Sequence, residues 1–173
     1  SLAALPKPDS SHRPIAAGDT WRRLTAKLLA RSHSEELREY LEPLQLGVGT
    51  KMGCGAIIHT CRQWFCRNSS APAKVLVTLD LTNAFNSVDR SAVLEAVRRI
   101  APDLAPWCDF CYRDMGHLLM EDKRLSSERG VQQGDPLGPA LFALAIQPKI
   151  LEARRRTEAE FPGGMDFIVF YLD

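Results

Sequence analysis

The run Phe167-Ile168-Val169-Phe170-Tyr171-Leu172-Asp173 is an apolar stretch closed by a carboxylate. Its length and its β-branched and aromatic content predict a buried strand. A carboxylate at the lip of such a strand is held rigidly, as a metal ligand must be. The same design occurs upstream in Val75-Leu76-Val77-Thr78-Leu79-Asp80. Two buried strands that each end in Asp predict a pair of carboxylates gripping Mg²⁺, a hard cation that takes oxygen ligands.

The rest of the chain sets the frame for that pair. At 173 residues, 45% hydrophobic and 25% charged, it has an ordinary globular composition and length for one substantial core, or one large domain with a lobe. No apolar stretch approaches the roughly 18 residues of a membrane span. The N-terminus lacks the basic-then-apolar layout of a signal peptide, so cytosol or nucleus is the default expectation. The chain starts at Ser1 and stops inside a strand-like run, and is therefore expected to be a fragment of a longer protein.

A net charge of +1 does not advertise a nucleic-acid partner, but the basic residues are unevenly placed. Arg23, Lys27 and Arg31 recur at helical spacing with Arg22 beside them, and Arg154-Arg155-Arg156 form a run. Such local stripes bind phosphate even in a neutral chain. The alternative is a solvated helix face. Five cysteines exclude a complete internal disulfide set, and free thiols are expected. Cys108 and Cys111, set against Cys61, Cys66 and His59, are spaced poorly for zinc. Buried structural thiols are the better reading, with Cys54 and Cys61 on one helix face.

Along the chain, residues 7–15 read as two short extended pieces around a polar turn. Asp19 is a good N-cap for a helix whose apolar face is Trp21, Leu24, Leu28 and Leu29, opposite the basic stripe. A short helix over Ser34 to Leu41 ends at Pro43. The glycine-rich stretch 46–55 fails as a phosphate loop, because Lys51 precedes the last two glycines and no Ser or Thr follows it. It reads instead as a loop before a helix from Ala56 to about Phe65. After the polar connector 68–73 and the strand to Asp80, Asp89 caps a helix with apolar face Val93, Leu94, Val97 and Ile100, which Pro102 stops. A helix over Leu104 to Met115, a hairpin over Gly116 to Arg129 and a turn at 131–139 follow. Asp135 and Pro136 suit the first positions of the next helix, which Pro148 is expected to interrupt.

The order of these pieces resembles the palm of a reverse transcriptase, of the group II intron and non-LTR retroelement type. Gly130-Val131-Gln132-Gln133-Gly134-Asp135-Pro136-Leu137-Gly138-Pro139 with Leu141-Phe142 is similar to a typical family block. Lys7-Pro8 and Arg13-Pro14-Ile15 look like its first fingers motif, and Tyr171-Leu172-Asp173 like the front of its Tyr-x-Asp-Asp turn. The resemblance covers most of the chain and is least distinctive at 68–73 and 104–128. It implies an α+β right-hand polymerase: an antiparallel palm sheet packed on helices, with about 1–73 mainly fingers, about 74–173 mainly palm with inserted fingers elements, and no thumb.

The resemblance also implies roles. Asp80 and Asp173 would be catalytic and bridge two Mg²⁺ (or Mn²⁺) ions, with the Leu81 carbonyl as a further ligand. Polymerisation is an in-line displacement on an α-phosphate, and two ions about 3.5–4 Å apart stabilise the attacking and leaving oxygens. Phe85 would be a steric gate filling the space of a ribose 2′-OH, which favours deoxynucleotides; RNA-dependent RNA polymerases tend to carry a small polar or acidic residue there. Gln133 would touch the incoming nucleotide, and Gly134 would let the backbone approach closely. Lys7 and Arg13 would hold the triphosphate, Arg as a fork and Lys as a point charge. Arg23 and Lys27 would meet template or primer phosphate.

The function so implied is RNA-directed DNA synthesis from dNTPs on a primed RNA template, with a DNA or RNA primer, no membrane partner, and protein partners unspecified. The rivals are an RNA-dependent RNA polymerase and a catalytically inactive RNA-binding descendant. The 173 residues alone are expected to be inactive, and the site of action is open between nucleus, organelle and bacterial cytoplasm.

Overall fold

Asp19 opens the first helix as predicted. Extended at φ −64° and ψ 169°, it accepts a 2.9 Å hydrogen bond from the Arg22 backbone N–H, one of the donors that a helix start leaves without an internal partner. The computed structural model describes residues 2–6, 12–71, 73–120 and 122–172, with the backbone alone at 12–14. Ahead of the helix, β1 (Leu2–Pro6) pairs antiparallel with β2 (His12–Ala16); of the two extended pieces expected within 7–15, the second falls in β2, whereas β1 precedes that range. Their connecting turn lies outside the described residues.

The helices that follow are α1 (Thr20–Ser32), α2 (Ser34–Leu41), α3 (Gly53–Arg67), the single turn α4 (Ala84–Ser87), α5 (Arg90–Ile100) and α6 (Ala105–Tyr112). Asp89 caps α5 by accepting from the N–H groups of Ser91 and Ala92. A 3-10 turn at Pro102–Leu104 separates α5 from α6. The predicted hairpin is β3 (Gly116–Met120) with β4 (Lys123–Ser127), and α7 (Gly138–Glu160) ends the helical part.

One core joins these helices. Leu37 and Leu41 of α2, Val93, Leu94, Ala96 and Val97 of α5, Cys108 and Tyr112 of α6, and Ala140 to Leu144 of α7 are all buried in it. The N-terminal half of α7 is apolar all round because it lies at the centre, packed by α2, α4 and α5. Inside α7, Pro148 does not interrupt the helix as expected; the helix runs through it to Glu160. Beyond Leu151 it is largely exposed, and Glu152 pairs there with Arg155 and Arg156.

Other expectations fail for reasons of packing. α1 buries Ala26, whose small side chain permits close approach to the core, while Trp21, Leu24 and Leu28 are exposed. The periodicity was that of a helix, but of the expected apolar face only Leu29 packs against the core. Cys54 is exposed and Cys61 only half-buried, whereas Cys108 is fully buried and its burial pushes the thiol up to about 12. α3 begins at Gly53 rather than Ala56, and α7 at Gly138, with Leu137 rather than Asp135 in the capping position.

The largest difference concerns the two Asp-terminated strands. Residues 75–80 form no regular element and join no sheet among the described residues, and Val75, Val77 and Leu79 are 78%, 72% and 76% exposed. Residues 167–172 make one parallel bridge, Gln45 to Phe170. A strand needs a neighbouring edge for its N–H and C=O groups, and no described residue offers one to 75–80. The described fold is thus helical with two two-stranded antiparallel sheets, a mixed α and β arrangement in which the expected palm sheet is not assembled.

Candidate functional site

Two contacts organise the segments that carry the carboxylates. Lys74 Nζ donates to both oxygens of Asp166 at 2.6 and 2.8 Å, and Trp64 Nε1 donates to the same carboxylate at 2.7 Å. The Lys74 and Trp64 hydrogen bonds hold the Asp166 carboxyl below its ordinary range. Lys74 immediately precedes Val75, and Asp166 immediately precedes Phe167, so the two segments start side by side. Six residues beyond Lys74 stands Asp80, and seven beyond Asp166 stands Asp173. The Asp80 carboxylate is exposed and meets no hydrogen-bond or ion-pair partner among the described residues, and Leu81 beside it is 47% exposed. A free carboxylate is a hard oxygen donor of the kind Mg²⁺ takes. Asp173 lies outside the described residues, among which no three His, Cys, Asp or Glu side chains cluster as a metal site.

The second contact lies at the other end of the final segment. Gln45, fully buried, accepts from Leu172 N at 2.8 Å and donates from Nε2 to Leu172 O at 3.0 Å. Leu172 has φ 65°, a left-handed conformation that costs a non-glycine residue about 1–2 kcal/mol.

The Gln133-Gly134 turn meets the β2 strand. Ala16 N donates to Gln133 O at 2.8 Å, and a Cβ on Gly134 (φ +119°) would stand 2.8 Å from Ala16 O. Glycine is therefore required twice here, by conformation and by close approach. Arg13 pairs with Leu5 through the backbone of the same hairpin, while its side chain, like Lys7, lies outside the described residues.

Phe85 sits beside the same motif. Val131 N donates to Phe85 O at 2.8 Å, and Gly130 N to Val88 O at 2.9 Å. The Phe85 ring, half-buried, stacks on Phe142 of α7 with centroids 4.9 Å apart. On α1, Arg23 and Lys27 are exposed and form no ion pair among the described residues.

Beneath the motif lies a polar node that sequence reasoning missed. The Tyr112 hydroxyl donates to Asp135 at 2.5 Å and accepts from Gln132 N at 3.3 Å. Asp135 also accepts from Leu137 N at 2.9 Å, so its carboxylate orders the turn before α7. Arg22 approaches Asp135 to 3.7 Å, and the guanidiniums of Arg22 and Arg90 lie 5.5 and 5.4 Å from the Tyr112 ring centroid. Arg90 donates further to Gly130 O, Ser127 O and Ser127 Oγ. Burial, then the Asp135 charge, raises the Tyr112 phenol far above its ordinary value. The available signal was the lone Arg22, which breaks the exposed rhythm of Arg23, Lys27 and Arg31.

The described residues thus form a helical core that holds a Gln-Gly turn against a β-hairpin, with an ion pair at the start of the segment that leads to Asp80. Residues 5–173 match the family described as reverse transcriptase (RNA-dependent DNA polymerase), and the chain belongs to that family. It is 30% identical, over its whole length, to the retrotransposable element SLACS 132 kDa protein of Trypanosoma brucei gambiense. It spans 14% of the length of that relative. Among the described residues no helix is long and apolar enough to cross a membrane.

Proposed function

We propose that the chain forms the fingers and palm, about 1–73 and 74–173, of a retroelement RNA-directed DNA polymerase of group II intron or non-LTR type. The observation that carries this reading is the Lys74–Asp166 pair, which starts two Asp-terminated segments side by side. The resemblance to a retrotransposable-element protein supports the host type.

Asp80 and Asp173, with the Leu81 carbonyl, would hold Mg²⁺ or Mn²⁺, which supplies charge stabilisation for the attacking and leaving oxygens of the displacement. The exposed and unpaired carboxylate of Asp80 supports that assignment. Phe85 excludes the ribose 2′-OH; its stack on Phe142 supports the role, because a ring fixed by packing does not swing aside for a hydroxyl. Gln133 orients the incoming nucleotide from a turn whose backbone is tied to Ala16, and Gly134 leaves room for close approach. Lys7 and Arg13 hold the triphosphate, and Arg23 and Lys27 meet template or primer phosphate from the open face of α1.

The partners are then an RNA template, a DNA or RNA primer and dNTPs. The 173 residues alone are inactive on this reading, a view supported by the unpaired state of 75–80. The test is primer extension by the full-length protein on an RNA template. Incorporation of dNTPs with strong rejection of rNTPs supports the reading. Equal use of both contradicts the Phe85 gate, and extension with neither contradicts the polymerase.

A further inference from the structure

We propose that Gln45 is a positioning residue for the carboxylate end of the chain: its buried carboxamide fixes the backbone of Leu172 and thereby sets the path on which the chain reaches Asp173. The inference rests on the metal-binding role of Asp173 in the reading above.

All three hydrogen bonds of the amide go to backbone. Oε1 accepts from Leu172 N at 2.8 Å and from Gly47 N at 3.0 Å, while Nε2 donates to Leu172 O at 3.0 Å. These partners fix the orientation of the carboxamide, because a flipped amide would set its NH₂ against two N–H donors. The ladder on either side holds the register. Leu46 N donates to Phe170 O at 2.9 Å, and Phe170 N to Leu44 O at 2.6 Å. Gln45 itself is anchored by its backbone N–H to Leu41 O at the end of α2.

The purpose of the amide is legible in its setting. A fully buried carboxamide is unfavourable unless each polar atom is paired, so an apolar residue would serve packing better at this position. What the amide adds is a grip on both peptide groups of a residue at φ 65°, where Leu would otherwise relax to negative φ. Gly47 permits the approach: a Cβ there would stand 2.7 Å from Leu172 N and from Leu172 Cγ. The grip thus joins the loop after α2 to the residue that precedes Asp173.

The test uses the full-length protein and its Gln45→Met, Gly47→Ala and Val93→Ala variants, read by Mn²⁺ binding in electron paramagnetic resonance and by steady-state primer extension. Gln45→Met keeps volume and removes the three hydrogen bonds. Gly47→Ala displaces Leu172 sterically and leaves the carboxamide intact. Each is expected to weaken Mn²⁺ binding and lower kcat by about tenfold or more, the scale set by groups that orient metal ligands, with the primer–template KM unchanged. Val93→Ala, a core truncation that lowers Tm, leaves both readouts unchanged at a temperature where all variants are folded. Folded Gln45→Met and Gly47→Ala proteins with wild-type Mn²⁺ affinity and kcat would overturn the proposal. Should Gln45→Met fail to fold, Gly47→Ala carries the same test. If the wild-type protein binds Mn²⁺ yet extends no primer, the polymerase reading fails, while the Mn²⁺ comparison still decides the role of Gln45.

Discussion

The Tyr112 hydroxyl donates a 2.5 Å hydrogen bond to Asp135 inside the core, and through it the helix α6 fixes the turn that carries Gln133 and Gly134. The two residues are 23 positions apart in sequence and share the guanidinium of Arg22, which faces the ring of one and the carboxylate of the other. Tyr112→Phe removes the hydroxyl and leaves a buried carboxylate short of a donor. The loss of such a bond costs about 1–3 kcal/mol. The urea midpoint should fall accordingly with an unchanged m-value, and an unshifted midpoint would mean that water replaces the hydroxyl.

The same pair sets an alkaline limit. Burial and the Asp135 charge raise the folded pKa of Tyr112 above its ordinary 10.0. A group whose folded pKa is raised contributes stability that is fully present below the unfolded pKa and is lost as pH rises toward the folded one. Stability should therefore decline above about pH 10 in the wild type and decline less in Tyr112→Phe. Denaturant unfolding at a series of pH values from about 8 to 11 checks this.

Gly130 is held at φ +72°, and a Cβ there would stand 2.4 Å from the backbone carbonyl carbon of Asn86. That neighbour is main chain and has no rotamer by which to yield. Gly130→Ala is expected to cost about 1–3 kcal/mol from overpacking, with a further penalty for the positive φ. Thermal melting measures it, and a Tm within error of the wild type would show that α4 moves aside freely.

Much of this fold could be read in the sequence, and the failures share a cause. Caps and breakers act locally, so Asp19, Asp89 and Pro102 marked their helices, and the hairpin at 116–127 followed from its alternation. Which face of a helix is buried depends on its neighbours. Ala26 rather than Leu24 faces the core because of what lies across from it, and no periodicity within α1 carries that information. The segment 75–80 has the composition of a buried strand, but burial and pairing come from other segments. Among site residues, the motif turn and Phe85 stood out by their resemblance to motifs of the reverse transcriptase family. Gln45 and Tyr112 did not, because their partners, Leu172 and Asp135, are distant in sequence.

Phe85 offers a test of sugar selection. Its ring is stacked on Phe142, so truncation leaves the packing of α7 with a gap but the backbone bond from Val131 intact. Phe85→Ala in the full-length protein should lower the preference for dNTPs over rNTPs by about tenfold or more, since filling or emptying a small volume in a site is worth roughly 1–3 kcal/mol. Single-nucleotide incorporation kinetics with dGTP and GTP measure the ratio, and an unchanged ratio would assign discrimination elsewhere.

The measurement that bears most directly on the central claim is RNA-templated primer extension, with dNTPs and Mg²⁺, by the full-length protein and its Asp80→Asn variant. Asp80 is exposed and unpaired among the described residues, so this change leaves the fold undisturbed. Charge stabilisation by a bound metal is worth several kcal/mol, so the variant should be slower on the order of 10³-fold while primer–template binding is preserved. Extension by Asp80→Asn at the wild-type rate would contradict the account.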